Sequence, residues 1–143
     1  MRKIGLALLL GSLVGVPTVG AAKKRTYQDE VTASVHKSGR QGTAIIYKGT
    51  VNSKVFGKGK VKQWVYGNLD GKFEITYDDG KTFGTTTAKI DPQGGGRVKV
   101  TGTYKLTRGT GRFQGVKGQG TYRGSADSDL QRARFTQRGP VTF

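Results

Sequence analysis

The chain has 143 residues, with 25 Lys and Arg against 9 Asp and Glu, and a formal net charge of +16 at pH 7. This length supports a single domain, and the 34% of hydrophobic residues is enough to bury a core. The absence of cysteine excludes disulfides, thiolate metal sites and cysteine nucleophiles. The one histidine, His36, excludes zinc sites built from several histidines. We therefore expect no metal ion and no cofactor.

The first 22 residues have the pattern of a secretory signal peptide. Residues 1–3 are a basic start, residues 4–16 are mostly apolar, and small residues follow. The apolar run is shorter than the roughly 20 residues that span a membrane. Cleavage after Ala21 or Ala22 would leave 23–143 as the mature domain, with 23 basic and 9 acidic residues and a net charge of +14. We expect a secreted or periplasmic protein, and the lack of disulfides favours a bacterial envelope.

The mature chain has a hydrophobic period of two, which is typical of half-buried strands. Near residue 100, for example, Val98 and Val100 alternate with Arg97 and Lys99. The alternation and the turn signals predict strands at about 27–36, 43–51, 53–57, 60–67, 72–78, 82–90, 97–107, 117–124 and 133–142. A helical turn is predicted at 126–133.

Glycine supplies a second signal of fold class. The chain has 24 glycines, and Gly49, Gly102 and Gly120 fall within predicted strands. Glycine weakens a flat strand but relieves the tight coiling of a small barrel. The Asp-Gly pairs at 70–71 and 79–80 favour hairpins. We predict an all-β fold: a single antiparallel up-and-down β-barrel of about eight strands.

Residues 102–122 read GTYKLTRGTGRFQGVKGQGTY. This segment resembles the signature of the allene oxide cyclase-like and dirigent-like β-barrels, in which a strand runs into Gly-Thr-Gly-Arg-Phe and then a Gly-hydrophobic-x-Gly step. The hairpin at 71–90 fits the same pattern. The resemblance implies a barrel like those of secreted bacterial members without an assigned activity. It also leaves a homo-oligomer open.

The centre of that segment is predicted to be a structural turn. Gly109 and Gly111 would adopt backbone angles closed to other residues, Thr110 would bond to nearby backbone, and Phe113 would plug the barrel end. The glycine spacing matches neither phosphate-binding fingerprint, which disfavours a phosphate site. We call these residues the turn motif: Gly109, Thr110, Gly111, Arg112, Phe113, Gly115 and Gly118.

Four residues are candidates for binding a small ligand. Tyr47, Trp64 and Tyr66 are amphipathic aromatics that could line a pocket mouth or pack in the core. Glu74 alternates with apolar residues, so it faces water unless its side of the strand forms the lumen, where its pKa would rise. The family resemblance implies an alternative function of this kind: an isomerase or cyclase acting on a small apolar ligand in the lumen.

Positive charge is the strongest chemical signal in the sequence. Such a field attracts acidic polysaccharide, lipopolysaccharide or another polyanion. Export and the lack of a recognition helix argue against sequence-specific binding of nucleic acid. We therefore expect a non-catalytic binding protein. A filled lumen with one basic face would favour this prediction, whereas an enclosed cavity with a polar group would favour the enzyme. The candidate polyanion-binding residues are Lys58, Lys60, Lys62, Arg97, Lys99 and Lys105.

Overall fold

The computed structural model describes residues 24–143, so the expected signal peptide lies outside the described residues. Eight antiparallel strands close into a barrel, each paired with the next and β8 paired with β1, which confirms the predicted fold class. The strands are β1 (Thr26–Gln41), β2 (Ala44–Ser53), β3 (Gly57–Val65), β4 (Gly71–Tyr77), β5 (Gly80–Gly94), β6 (Arg97–Gly109), β7 (Lys117–Asp127) and β8 (Arg132–Thr142). A 3-10 helix, Gly111–Phe113, precedes β7. None of the described helical structure is long and apolar enough to cross a membrane.

Two predicted elements are wrong. The strand predicted at 53–57 is the turn between β2 and β3, where the Ser53 hydroxyl accepts the backbone N–H groups of Val55 and Phe56. The helical turn predicted at 126–133 is the end of β7 and a tight turn into β8. There the Asp127 carboxylate accepts the Arg132 N–H at 2.8 Å. In both places a short polar side chain bonds to local backbone and replaces the regular pattern.

The inward face of the barrel carries the apolar members of each alternation. Apolar side chains from seven of the strands form one buried cluster, and β5 adds the partly buried Ala88 and Ile90, which pack against it. Inward-facing glycines lie where adjacent strands press together. A Cβ at Gly49 or at Gly102 would lie 1.8 Å from a carbonyl oxygen of the neighbouring strand, and a Cβ at Gly120 would lie 2.0 Å from one. These close approaches confirm that glycine accommodates the tight coiling of this barrel.

One end of the barrel is closed by aromatic rings. Phe113 is 1% exposed and lies with its ring centroid 4.5 Å from Phe56, 5.5 Å from Tyr77 and 5.8 Å from Phe143. Tyr27 packs on the outer side of Phe143 at 5.5 Å. The prediction that Phe113 plugs a barrel end is therefore confirmed.

The turn motif docks on the hairpin between β4 and β5. The Thr110 hydroxyl accepts the backbone N–H of Lys81 at 3.1 Å, and Arg112 pairs with Asp79 at 3.2 Å. Gly111 has the expected positive φ of 60°, but Gly109 does not have a positive φ. The prediction that Gly109 is required for its backbone angles is therefore wrong. Glycine is needed there because a Cβ would lie 2.2 Å from the carbonyl oxygen of Phe113.

Candidate functional site

A wide hollow of about 1180 Å³ lies on the outer surface of the barrel, and we call it the outer groove. Its centre is formed by β1 and β2, which present short polar side chains outward. Its sides are formed by β3 on one flank and by β8 and β7 on the other. The residues that define it are Thr32, Ser34, Thr50, Asn52, Lys58, Lys60, Lys99, Arg123, Ser125, Arg134 and Thr136.

Strand register explains why this surface is hollow. Lys60 pairs with Thr50, Thr50 with Ser34, and Ser34 with Arg134. Each pairing joins side chains on the same face of the sheet. Long basic side chains therefore stand at both ends of a row whose middle members are short. Inward-facing Gly124 also lets β7 lie close to the core, because a Cβ there would be 2.7 Å from the Phe135 ring.

The cations that flank the groove are not neutralised by acidic partners. Lys58, Lys60, Arg123 and Arg134 are exposed, and none of them makes an ion pair within residues 24–143. Asp78 is the one acidic residue among the described residues that line the groove. The surface therefore keeps a concentrated positive field that is open to solvent.

Three acidic residues, Glu30, Glu74 and Asp79, form ion pairs outside the groove. Glu30 forms ion pairs with Arg138 and Lys54. The pKa of the Glu30 carboxyl is lowered, mainly by the hydrogen bond from Arg138. Glu74 lies 3.6 Å from Lys81 on the outer face of β4. These pairs neutralise basic residues away from the groove.

A second hollow of about 460 Å³ adjoins the first and shares Ser34, Ser125 and Arg134 with it. We call it the arginine hollow because Arg97, Arg132 and Arg134 line it, together with His36 and Asp127. Arg97 donates to the Ser125 hydroxyl at 2.8 Å. The backbone N–H of Arg132 lowers the pKa of the Asp127 carboxyl, so this acid stays ionised among the arginines.

The candidate polyanion-binding residues separate into four positions. Lys58, Lys60 and Lys99 line the outer groove. Lys62 follows them on the outer face of β3, and Arg97 lies in the arginine hollow. Lys105 lies apart from both hollows, in register with Thr85 and Gln119.

Sequence reasoning did not single out the far wall of the groove, Arg123 and Arg134. The alternation of β7 and β8 places both residues on the wet face, which is the signal available in the sequence. Their position beside β1 depends on the pairing of β8 with β1, which joins opposite ends of the chain. No local pattern reports that pairing.

The lumen is nearly filled. An apolar cavity of about 60 Å³ lies beneath Leu69 and Leu130, and an adjoining one of about 30 Å³ shares Gln63, Tyr122 and Phe135 with it. Small-molecule sites typically measure about 300–1,000 Å³, so neither cavity holds a substrate of ordinary size without rearrangement.

The four candidate ligand-binding residues are not brought together. Tyr47 faces the cavity, is buried, and donates its hydroxyl to the Leu130 carbonyl at 2.8 Å. Trp64 lies on the outer face, where its indole donates to Gln41 at 3.0 Å and Lys62 stands over its ring. Tyr66 follows the end of β3, with Lys72 6.0 Å from its ring centroid. Glu74 is on the outer face, as its alternation indicated.

Asp29 is a buried acid that sequence reasoning missed. Its carboxylate accepts the Ser53 hydroxyl at 2.8 Å and the Val55 N–H at 3.2 Å. Extending the alternation of β1 back from Val31 by one step would have placed it inside the barrel. Burial, followed by the negative charge of Asp29, raises the pKa of the nearby Tyr77 and Tyr104 phenols. Through these bonds Asp29 ties β1 to the turn between β2 and β3 at the barrel end.

Within residues 24–143, no group of three or more His, Asp and Glu residues could hold a metal ion. No protein-family model matches the chain, and no curated protein does. Among solved structures it is similar to the pterocarpan synthase dirigent protein PsPTS1, with a TM-score of 0.41 and 12% identity over 84% of this chain and 95% of that one. GePTS1, also a pterocarpan synthase dirigent protein, gives a TM-score of 0.40 and 12% identity over 85% and 87%. The closed barrel itself, which the resemblance of residues 102–122 implied, follows from the strand pairing of this chain.

Proposed function

We propose that this protein is a non-catalytic, exported β-barrel that binds an acidic polymer on its outer surface. The observation that carries the proposal is the outer groove, where Lys58, Lys60, Arg123 and Arg134 face one hollow and form no ion pair with any of the residues 24–143. The nearly filled lumen supports the same conclusion, because it leaves little room for a substrate.

The cellular location is part of the proposal. The signal-peptide pattern of the first 22 residues directs the chain out of the cytoplasm. Acidic polymers available there include acidic polysaccharide and lipopolysaccharide, to which a domain of net charge +14 is attracted. Mass spectrometry of the protein from its native host should find an N-terminus at Ala22 or Lys23. An intact Met1 in the mature protein would contradict export by cleavage.

Binding to heparin tests the proposed function directly. We expect the purified protein to bind heparin at about 0.01 M salt and to bind much more weakly at about 0.15 M, because the Debye length falls from about 30 to about 8 Å. Neutral dextran is the control and should not bind at either salt concentration. Lack of heparin binding at low salt, or binding that is insensitive to salt, would overturn the proposal.

A specific observation keeps the small-ligand alternative in view. Leu69 and Leu130 line the lumen cavity from two turns at the same barrel end, and both have left-handed backbone angles, with φ of 70° and 58°. Such angles are costly for leucine, by about 1–2 kcal/mol each. Rearrangement of these turns would relieve that strain and widen the cavity toward solvent.

Apolar probes distinguish the two candidates. If the lumen is a binding site, a fluorescent apolar probe should bind the wild-type protein, and Tyr47→Phe should change its affinity because Tyr47 faces the cavity. Leu130→Gly, which removes both the side chain and the backbone strain, should then strengthen binding. The polyanion proposal expects no saturable binding of the probe to the wild-type protein.

A further inference from the structure

We propose that the ligand of the outer groove is a single linear chain of acidic polysaccharide, held between two basic walls over a floor of hydroxyl and amide groups. This inference rests on the proposed function and names the ligand class and its binding mode. It is carried by the register, width and chemistry of the groove.

The register repeats one arrangement in two adjacent rows. The first row runs Lys60, Thr50, Ser34, Arg134, and the second runs Lys58, Asn52, Thr32, Thr136, Arg123. In both rows the cations lie at the ends and the short polar residues lie between them. Two successive rows define a direction, because side chains two residues apart on one strand are separated by about 6.6 Å. A linear polymer can follow that direction and meet charge on both sides.

The width of the groove suits one chain. In the first row the backbones of β3 and β8 are three strand spacings apart along the sheet, which is about 14 Å, and in the second row β3 and β7 are four spacings apart, about 19 Å. A second copy of this basic chain would bring like charge to the groove.

The floor favours a sugar chain over a single-stranded nucleic acid. Thr32, Ser34, Thr50 and Asn52 are exposed, and their side chains both donate and accept hydrogen bonds. Single-stranded nucleic acids are held by bases stacked on aromatic rings. The floor offers none in the described structure.

The two aromatic residues that lie along the groove face the other way. Tyr77 packs its ring against Phe56 at 5.2 Å, and Phe135 packs against Tyr122 at 5.5 Å, both in the interior.

The arginine hollow extends the path. It continues from the groove past Arg134 to Arg132 and Arg97, so cations line both hollows in sequence. Asp127 lies within this extension and opposes an anion there, while Arg97 and the Arg132 backbone lie beside it. The groove between Lys60 and Arg134 is therefore the principal segment, and the hollow is a weaker continuation.

Two variants of equal charge test whether the groove is the site. The groove variant carries Lys58→Ser, Lys60→Ser, Arg123→Ser and Arg134→Ser. The control variant carries Lys72→Ser, Lys89→Ser, Lys105→Ser and Lys117→Ser, all exposed and outside both hollows. We expect the groove variant to lose about 100-fold in heparin affinity, with a salt slope shallower by about three for four lost contacts. The control should lose less than about tenfold.

The outcomes separate this inference from the proposed function. Equal losses in the two variants would overturn the groove and leave a protein that binds polyanions through its overall charge. Failure of the wild-type protein to bind heparin would overturn the proposed function itself. Circular dichroism of both variants establishes that each retains the β-barrel before affinities are compared.

An uncharged variant tests the ligand class. Thr32→Val, Ser34→Ala and Thr50→Val remove the hydroxyl floor and keep every charge. We expect about tenfold weaker binding of heparin, from three lost hydrogen bonds, and unchanged binding of a single-stranded DNA oligomer at the same salt. An equal loss for DNA and heparin, or no loss for heparin, would overturn the assignment of a polysaccharide ligand.

Discussion

Asp29 and Ser53 join two strands through a hydrogen bond inside the barrel, with the serine Oγ 2.8 Å from one carboxylate oxygen and 2.9 Å from the other. The same Oγ accepts the Phe56 N–H at 2.8 Å. This connected set of bonds ties β1 to the turn between β2 and β3. That turn places Phe56 in the aromatic cluster that closes the barrel end.

Asp29→Ala should lower the free energy of unfolding by about 3 kcal/mol. The substitution removes the acceptor of the buried Ser53 hydroxyl and one of the two acceptors of the Val55 N–H, and bonds to a charged group contribute about 1.5–3 kcal/mol. Urea unfolding followed by circular dichroism measures the loss. Asp91→Ala, at an exposed position, is the control and should change stability by less than about 0.5 kcal/mol. Equal stabilities would show that the buried bonds are replaced by water.

Two glycines with nearly the same φ allow the stability cost of backbone strain to be measured apart from the cost of steric contact. Gly111 and Gly95 have φ of 60° and 63°. A Cβ at Gly111 would lie 2.4 Å from the Asp79 carbonyl oxygen, whereas a Cβ at Gly95 would have no neighbouring atom within 4 Å. Gly95→Ala should cost about 1 kcal/mol from backbone strain alone. Gly111→Ala should cost at least about 2 kcal/mol more, measured by thermal unfolding. Similar costs at the two positions would contradict the docking of the turn motif on the hairpin.

Phe113→Ala should destabilise the barrel by about 3–5 kcal/mol, because the side chain is 1% exposed and central to the aromatic cluster. Heparin affinity should not change at temperatures where the variant is folded, since the turn motif does not line the outer groove. Gln114→Ala, its exposed neighbour, serves as the control. A variant with wild-type stability and lost binding would make the motif a binding site.

Buried tyrosines should make the barrel unstable at alkaline pH. Burial raises the pKa of Tyr104 and Tyr122 to about 12, from an ordinary value near 10. Below pH 10 both phenols are neutral in the folded and unfolded states, so their full contribution to the free energy of unfolding is present. Between pH 10 and about 12 the unfolded chain loses these protons first, and stability falls.

Urea unfolding at several pH values between 9 and 12 measures this loss, on the order of 2 kcal/mol for each tyrosine. Tyr122→Phe is the matched variant and should show a shallower fall with pH over the same range. An unchanged slope would mean that lysine deprotonation alone causes the alkaline loss.

The sequence predicted the fold because its signals are local. Alternation around Val98 and Val100 and the Asp-Gly turns set the strands and hairpins, and each requires only a few neighbouring residues. Errors fell where a polar side chain bonds to local backbone, at Ser53 and at Asp127. Those bonds depend on side-chain geometry that a residue pattern does not specify.

The candidate site was predicted in part for the same reason. Lys58 and Lys60 form a local run on one strand and were selected from it. Arg123 and Arg134 complete the groove through strand pairing between distant segments, and their contribution is a property of the closed barrel. Asp29 was missed because the alternation was not extended to it.

The pairing of β1 with β8 also sets the order in which this protein can fold. Thr26 is in register with Thr142, so the first strand of the barrel has the last strand of the barrel as a partner. Contacts so distant in sequence form late and slowly. Until β8 is present, β1 and β7 expose unpaired edges that invite pairing with other chains. The barrel therefore closes only after β8 is available, and shortened forms that lack β8 should aggregate.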